Sequence, residues 1–272
     1  MELLEKIHGE AVQLIKKVGE FQKNEQSKRE IIQVETKSLN SLVSYVDKSS
    51  EQMLYEGLKG LLPDAAFLLE EETVTLDKDK EWLWIIDPLD GTTNYLHGIP
   101  FYAISVALQH KNKTVLALVY EPNRAEMFSA IAGKGCQLNG KPCFVSSSKN
   151  ISDSLIATGF PYYDFEKTTA YLQTLSWFMQ NSRGLRRCGA AALDLAYVAC
   201  GRFDCFFEYS LAPWDVAAGA LLVEEAGGRV SDFSGGDQYL FGREILATNA
   251  HINTLEIITN FFHPTNDLNS TS

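Results

Sequence analysis

Residues 82–94 read Trp-Leu-Trp-Ile-Ile-Asp-Pro-Leu-Asp-Gly-Thr-Thr-Asn, an apolar run delivered directly into two carboxylates set three positions apart. Unbroken apolar residues of strand length, bounded by turn formers, read as a strand buried in the interior. The strand is expected to end at Asp87, where Pro88 supplies no backbone donor and fixes the turn. Two carboxylates on one rigid turn, Asp87 and Asp90, can share a hard cation such as Mg²⁺, which takes oxygen ligands in near-octahedral geometry. The peptide carbonyl of Leu89 between them is a natural extra ligand. Gly91, Thr92 and Thr93 then read as the start of a short helix, whose free N–H groups and positive dipole end would hold a phosphate. An Asx turn with a threonine cap explains the same residues with neither metal nor phosphate.

Two further acidic elements extend this reading. Glu70-Glu71-Glu72 closes the short apolar stretch 65–69. Three adjacent carboxylates are usually a solvated face, but strand-end residues of α/β proteins tend to line the site. Trp214-Asp215 stands at the head of a helix expected over 216–226, where Asp215 is also an ordinary N-cap. Glu70, Asp87, Asp90 and Asp215 thus come from distant stretches, each at an element terminus. Together they predict a dinuclear or trinuclear carboxylate site. The five histidines (His8, His97, His110, His251, His263) show no paired ligand spacing, which favours magnesium over zinc.

The remainder of the chain is mixed α and β. Leu3, Leu4, Ile7, Ala11, Leu14, Ile15 and Val18 follow helical spacing, as do Leu54, Leu58, Leu61 and Leu62 before Pro63. Stretches 102–109 and 115–120 flank a polar turn and read as a hairpin, and β character continues over 127–146 through a turn at Asn139-Gly140. The second half alternates: strand 155–158, helix 168–179 with a stripe of Tyr171, Leu172, Leu175, Phe178 and Met179, helix 190–200 and strand 203–208. Helix 216–226 should stop at Gly227-Gly228, before strands 229–232 and 245–248 and a last helix 252–262. No linker or repeat divides the 272 residues. One domain over 1–262 is expected, with sub-regions of about 1–150 and 151–262 sharing the active site, and a polar tail over 263–272.

Composition excludes several function classes. The 24 Lys and Arg against 35 Asp and Glu leave a net charge of −11, which repels nucleic acid and anionic membranes. No apolar run reaches the roughly 18 residues of a membrane helix. The N-terminus lacks the apolar stretch of a signal peptide, and five cysteines without a C-x-x-C pair argue against a disulfide framework. A reduced, cytoplasmic protein is expected. A cysteine phosphatase needs an arginine six residues after its nucleophile, but Pro142, Lys149, Asp194, Phe206 and Leu211 occupy that offset. An aspartyl-phosphate enzyme uses Asp-x-Asp-x-Thr, and Pro88 stands where its nucleophile would be. Direct attack by metal-activated water remains.

These residues resemble the inositol monophosphatases, within the lithium-sensitive, magnesium-dependent phosphatases that also include fructose-1,6-bisphosphatases. The resemblance runs from about Asp47 to Asn249. It rests on Glu70-Glu71, on the run from Trp84 to Asn94, and on Trp214-Asp215-Val216-Ala217-Ala218-Gly219 with Glu225-Ala226-Gly227-Gly228. It implies a layered αβαβα sandwich and a two-fold homodimer. It further implies that Glu70, Asp87 and the Leu89 carbonyl form a first metal site and that Asp87, Asp90 and Asp215 form a second. Asp47 would contribute to a third metal through water. Gly91, Thr92 and Thr93 resemble the phosphate-binding segment, and Glu70 with Thr92 the pair that orients the attacking water. Gly189, Ala190, Ala191 and Glu208 match segments that contact the polyol, with Asp90 and Asp215 also facing substrate. Leu69 stands where the family has glycine and Glu72 lengthens the acidic run, so Glu70 and Glu71 both remain open as first ligand. Ala190 replaces a common hydroxyl residue, removing one substrate hydrogen bond.

The expected function is therefore Mg²⁺-dependent hydrolysis of a small phosphate monoester, with myo-inositol monophosphate as the leading substrate. The alternatives within the class are fructose-1,6-bisphosphate, histidinol phosphate and a 3′-phosphonucleotide. Nucleotide-directed relatives carry Lys-Glu where this chain has Thr93-Asn94, which argues against the last. The alternative from another class is a metal-stabilised regulatory protein without turnover.

Overall fold

Ile7, Ala11, Ile15 and Val18 recur at helical spacing, and all four lie on the buried face of a long first helix, α1 (Glu2–Gln26). The computed structural model describes residues 2–28, 34–38, 41–71, 80–161 and 164–263, with the backbone course alone for 34–38 and 41–43. Glu72 and the tail from 264 lie outside the described residues. After α1 come β1 (Val34–Ser38), β2 (Ser41–Ser44), α2 (Tyr45–Leu61), β3 (Ala66–Leu69), β4 (Trp82–Asp90) and the single turn α3 (Thr92–Leu96). A meander follows: β5 (Ala103–His110), β6 (Lys113–Glu121), β7 (Glu126–Ile131), β8 (Cys136–Leu138) and β9 (Lys141–Cys143). The second half holds β10 (Leu155–Thr158), α4 (Thr168–Asn181), β11 (Gly184–Arg186), α5 (Ala191–Ala199) and β12 (Cys205–Tyr209). It closes with α6 (Pro213–Glu225), β13 (Arg229–Ser231), β14 (Glu244–Thr248) and α7 (Leu255–Phe262).

Strands β3 to β9 form one sheet in chain order, antiparallel except for the β3–β4 pair. The second sheet runs β11-β10-β12-β14-β13, parallel in its first three strands and antiparallel in the rest. Alternation along the strands of the large sheet sorts its side chains by size. Trp84, Ile86, Ile104, Val106, Leu116 and Leu118 pack beneath α1 and α2. On the opposite face Ala103, Ala107, Ala117 and Val119 meet the alanine-rich α5 and α6, which also cover Phe206, Ile245 and Ala247 of the second sheet. Ile156, Cys205, Phe207 and Leu246 on that sheet's far face pack with Tyr171 and Phe178 of α4 and Ile258 of α7. The result is the expected αβαβα order. Its middle layer is thin because small residues let α5 and α6 approach both sheets.

Three local readings change. β4 does not stop at Asp87: it reaches Asp90, with Asp87 opposite Ser105 and Asp90 opposite Ala103. Three steps on β4 against two on β5 leave one extra residue, so Pro88-Leu89 is a bulge within the strand, where a missing N–H is tolerated. α6 begins at Pro213, which makes Asp215 its third residue rather than its N-cap. On α4, Leu172 and Met179 are 56% and 64% exposed, so only Tyr171, Phe178 and half-buried Leu175 of the expected stripe pack inward. Among the described residues no helix is long and apolar enough to cross a membrane.

The closeness of α5 and α6 is testable. A Cβ on Gly219 would lie 2.5 Å from the Leu195 Cβ, an atom that cannot move without its helix. Gly219→Ala should therefore destabilise by about 1–3 kcal/mol despite the better helix propensity of alanine. At the exposed Gly9 of α1, where nothing lies within 4 Å, the same change should stabilise by about 0.5–1 kcal/mol. Urea unfolding of both variants checks the opposite signs, and stabilisation by both would refute the tight contact.

Candidate active site

The bulge in β4 turns successive carboxylates toward one place. Asp87 and Asp90, both buried, and half-buried Asp215 each present an oxygen within 4.8 Å of the other two. Among the described residues no other trio of His, Cys, Asp or Glu is so arranged. The Asp87 Oδ1 accepts from the Leu89 N–H at 2.9 Å, which closes the bulge on itself. Asp90 reaches across to the middle layer and caps α5, accepting from the N–H groups of Ala191 at 3.2 Å and Ala192 at 2.7 Å. Asp215 accepts the Ala212 N–H at 2.6 Å and so caps its own helix from the third position.

The acidic run divides by direction. Glu70 lines the same cavity as the trio and hydrogen-bonds to Asp87, an arrangement that two carboxyl groups achieve by sharing a proton. Glu71 points elsewhere, its N–H donating to Glu51 Oε2 at 2.9 Å, and lines a separate depression against α2. The period-two alternation of an extended chain makes this choice, which the sequence left open.

Behind the bulge, Gln22 of α1 donates through Nε2 to the Pro88 carbonyl at 2.7 Å and to Ser50 Oγ at 3.1 Å. Gly91, at φ +92, occupies a conformation that suits glycine, and a Cβ there would meet the Phe101 and Gly189 carbonyls at 3.1 and 3.2 Å. It leads into α3, whose N-terminus has no side-chain cap. Asn94 Nδ2 ties α3 to the opposite wall through the carbonyls of Phe101 and Cys188, at 2.8 and 2.9 Å. The Thr92 hydroxyl donates to Asp47 Oδ1 at 2.8 Å, with the Leu89 carbonyl at 3.0 Å. Asp47 itself sits behind Thr92, outside the residues that line the cavity, and its Oδ2 accepts the Ser44 N–H at 2.9 Å.

The cavity measures about 510 Å³, the size of a small-molecule site. Glu70, Asp87, Leu89, Asp90, Gly91, Thr92, Thr93, Gly189, Ala190, Ala191, Glu208 and Asp215 all line it. Glu208 is 5% exposed, which rules out the surface carboxylate that a strand end can also be. Its carboxylate lies against Gly159, where even a methyl group would collide with it. The sequence reading missed Gly159, Arg187, Phe241 and Arg243 in this lining. Arg187 alone carried a signal, through its place beside Cys188-Gly189.

Electrostatics mark the cavity as short of positive charge. Burial, then the charges of Glu70, Asp90 and Asp215, raise Asp87 well above the usual carboxylate range. Burial and Asp215 push Asp90 up to about 7 against the helix N–H groups that oppose the shift. Burial pushes Asp215 up to about 6, opposed by the Ala212 N–H and Arg243. Glu208 is raised by burial and by Asp194 and Asp215, with Arg187 opposing. Cys188, which borders this wall, is pushed up to about 12 by burial and is no thiolate nucleophile. An oxygen-only donor set with excess negative charge fits a hard divalent cation.

Comparison with known proteins follows the same line. Residues 3–262 match the model of the inositol monophosphatase family. The chain is 39% identical over 242 residues to the protein named Nus factor SuhB of Escherichia coli K12, covering 89% of this chain and 91% of that one. It is similar in structure to the extragenic suppressor protein suhB of Bartonella henselae, with a TM-score of 0.88, 37% identity, and 96% and 99% of the two chains covered. The inositol monophosphatase of Anabaena (Nostoc) gives a TM-score of 0.81 at 32% identity, with 95% of each chain covered.

A pH dependence follows for the metal-free protein. Asp90 and Asp215 have folded pKa values above their values in the unfolded chain. From about pH 4 to about pH 7 the folded state therefore holds protons that the unfolded state has released, and these groups lose stability for it as pH rises. In EDTA, Asp90→Asn should flatten the fall in Tm between about pH 4 and about pH 7, and Mg²⁺ should raise the wild-type Tm more at the higher pH. A Tm indifferent to Mg²⁺ at both pH values would refute the assignment of these carboxylates to a cation.

Proposed function

Because the chain belongs to the inositol monophosphatase family, we propose that it hydrolyses a small phosphate monoester with the help of Mg²⁺, myo-inositol monophosphate being the leading substrate. The observation that carries this reading is the convergence of Asp87, Asp90 and Asp215 in one cavity with Glu70 and the uncapped start of α3. Glu70, Asp87 and the Leu89 carbonyl would hold one cation and Asp87, Asp90 and Asp215 a second, with Asp47 contributing through water to a third. Bound among these oxygens, Mg²⁺ would offset the crowded charge, polarise the phosphate and acidify an adjacent water.

The protein's own groups supply the geometry. The Thr92 hydroxyl donates its hydrogen bond to Asp47, which leaves its oxygen lone pairs to accept from the attacking water. Glu70, which lines the same cavity, takes the other proton of that water as the water oxygen bonds to phosphorus. The ester P–O bond on the far side breaks, the leaving alkoxide takes a proton from solvent water, and Glu70 returns its own to solvent. The N–H groups of Gly91, Thr92 and Thr93 hold the phosphate oxygens in line with this attack. Glu208 accepts from ring hydroxyls of the substrate, and Gly189, Ala190 and Ala191 form the wall beside them. With a net charge of −11 the chain as a whole repels a dianion, so the attraction has to be local. A homodimer, lithium sensitivity and a cytoplasmic setting belong to the same reading.

The name borne by the E. coli relative supports a second reading, in which the chain serves as a Nus factor. Phosphate release separates the two. The wild type should release phosphate from inositol monophosphate only with Mg²⁺, and Asp90→Asn should lower kcat on the order of 10²-fold or more. No release from any member of a panel of phosphate monoesters would sink the enzymatic reading and leave the other. Specificity has its own test. Glu208→Ala should cost about 1.5–3 kcal/mol in kcat/KM for inositol phosphate and far less for an aryl phosphate without ring hydroxyls. Equal losses on the two would assign Glu208 to the metal site.

A further inference from the structure

The turn at Asn139-Gly140 brings together two cysteines that the sequence keeps seven positions apart. Asn139 and Gly140 both have positive φ, of 51° and 76°, the conformation of a tight two-residue hairpin. The turn sets Cys136 of β8 directly opposite Cys143 of β9, their Sγ atoms 3.2 Å apart. Directly opposed residues of an antiparallel pair lie about 4.5–5.5 Å apart at Cα, within the span a disulfide bridges. We propose that Cys136 and Cys143 form a reversible oxidation site, in which a hydroperoxide converts the two thiols to an intramolecular disulfide.

The two sulfurs differ in the way that a peroxidatic and a resolving thiol must. Cys143 lies on β9, the edge strand of the large sheet, and is half-buried, whereas Cys136 is 3% exposed. The hydrogen bond between the thiols holds Cys143 below the ordinary thiol value and Cys136 above it, and the Arg202 guanidinium favours the Cys143 thiolate further. Burial pushes the other cysteines the opposite way, Cys188 and Cys205 to about 12 and Cys200 to about 11. The thiol at the edge of the sheet is thus set apart from three whose ionisation burial opposes.

The chemistry balances with one named co-reactant. The Cys143 thiolate attacks the outer oxygen of the hydroperoxide, the O–O bond breaks, and the leaving alkoxide or hydroxide takes up a proton, leaving a sulfenic acid. Cys136, losing its proton, attacks the sulfenic sulfur and expels hydroxide, which that proton converts to water. Two thiols and one hydroperoxide become a disulfide, an alcohol or water, and a second water.

Mass spectrometry of the full-length protein tests this directly. After hydrogen peroxide treatment and alkylation in denaturant, the peptide containing both Cys136 and Cys143 should lose two hydrogens and take up no alkylating agent. Cys188, Cys200 and Cys205 should remain alkylatable, and dithiothreitol should restore the pair. In Cys136→Ser the reaction should halt one step earlier, with Cys143 trapped by dimedone as its sulfenic adduct. Both thiols still free after excess peroxide, a bridge from Cys143 to Cys200, or oxidation first at Cys188 would each overturn the proposal.

Discussion

Asp90 ends a strand of the large sheet and receives the first N–H groups of a helix in the middle layer, and the site is assembled around that contact. One side chain thereby fixes the distance between β4 and α5 and, through α5, the wall formed by Gly189, Ala190 and Ala191. Hydrogen bonds to a charged acceptor contribute about 1.5–3 kcal/mol each, and the helix dipole favours a negative charge at this end. That stabilisation is what lets Asp90 remain in a cluster whose other members repel it. The thinness of the middle layer serves the same end, because bulkier residues than Ala103, Ala107 and Ala117 would hold α5 out of reach.

The remaining supports act from behind the cavity. Gln22 holds the Pro88 carbonyl, and Asp47 holds the Thr92 hydroxyl, so the bulge and the start of α3 are braced by α1 and α2 respectively. Neither Gln22 nor Asp47 is itself among the residues that line the cavity. The first helix is thus more than a cover for the large sheet: its C-terminal half buttresses the only proline of β4, at the bulge where the pairing with β5 is interrupted.

Most of this arrangement was legible in the sequence, because strong signals coincide there. Trp84-Ile85-Ile86 could be little but a buried strand, and Asp-Pro-Leu-Asp-Gly could be little but its irregular exit. What stayed hidden depended on tertiary register. The bulge within β4 shows only when Ser105 and Ala103 are paired across from it. Which of Glu70 and Glu71 faces the cavity depends on the phase in which the extended chain leaves β3. Gly159 carries no signal of its own, since its role is to leave room for a carboxylate forty-nine residues away. Strand β11 is three residues long and has too few side chains to show alternation. Leu172 and Met179 fit a helical stripe by spacing, but the stripe is wider than the surface that α4 covers.

The separation of the carboxylates along the chain also orders events during synthesis. Glu70, Asp87 and Asp90 emerge from the ribosome with the meander that pairs beside them, and those hairpins are local enough to form at once. The helix that Asp90 caps arrives about a hundred residues later, and Asp215 later still. Until then Asp90 has neither its helix partner nor its third carboxylate. A nascent or prematurely terminated chain can therefore display much of the large sheet and still lack the complete carboxylate cluster, which closes only after Asp215 has been added.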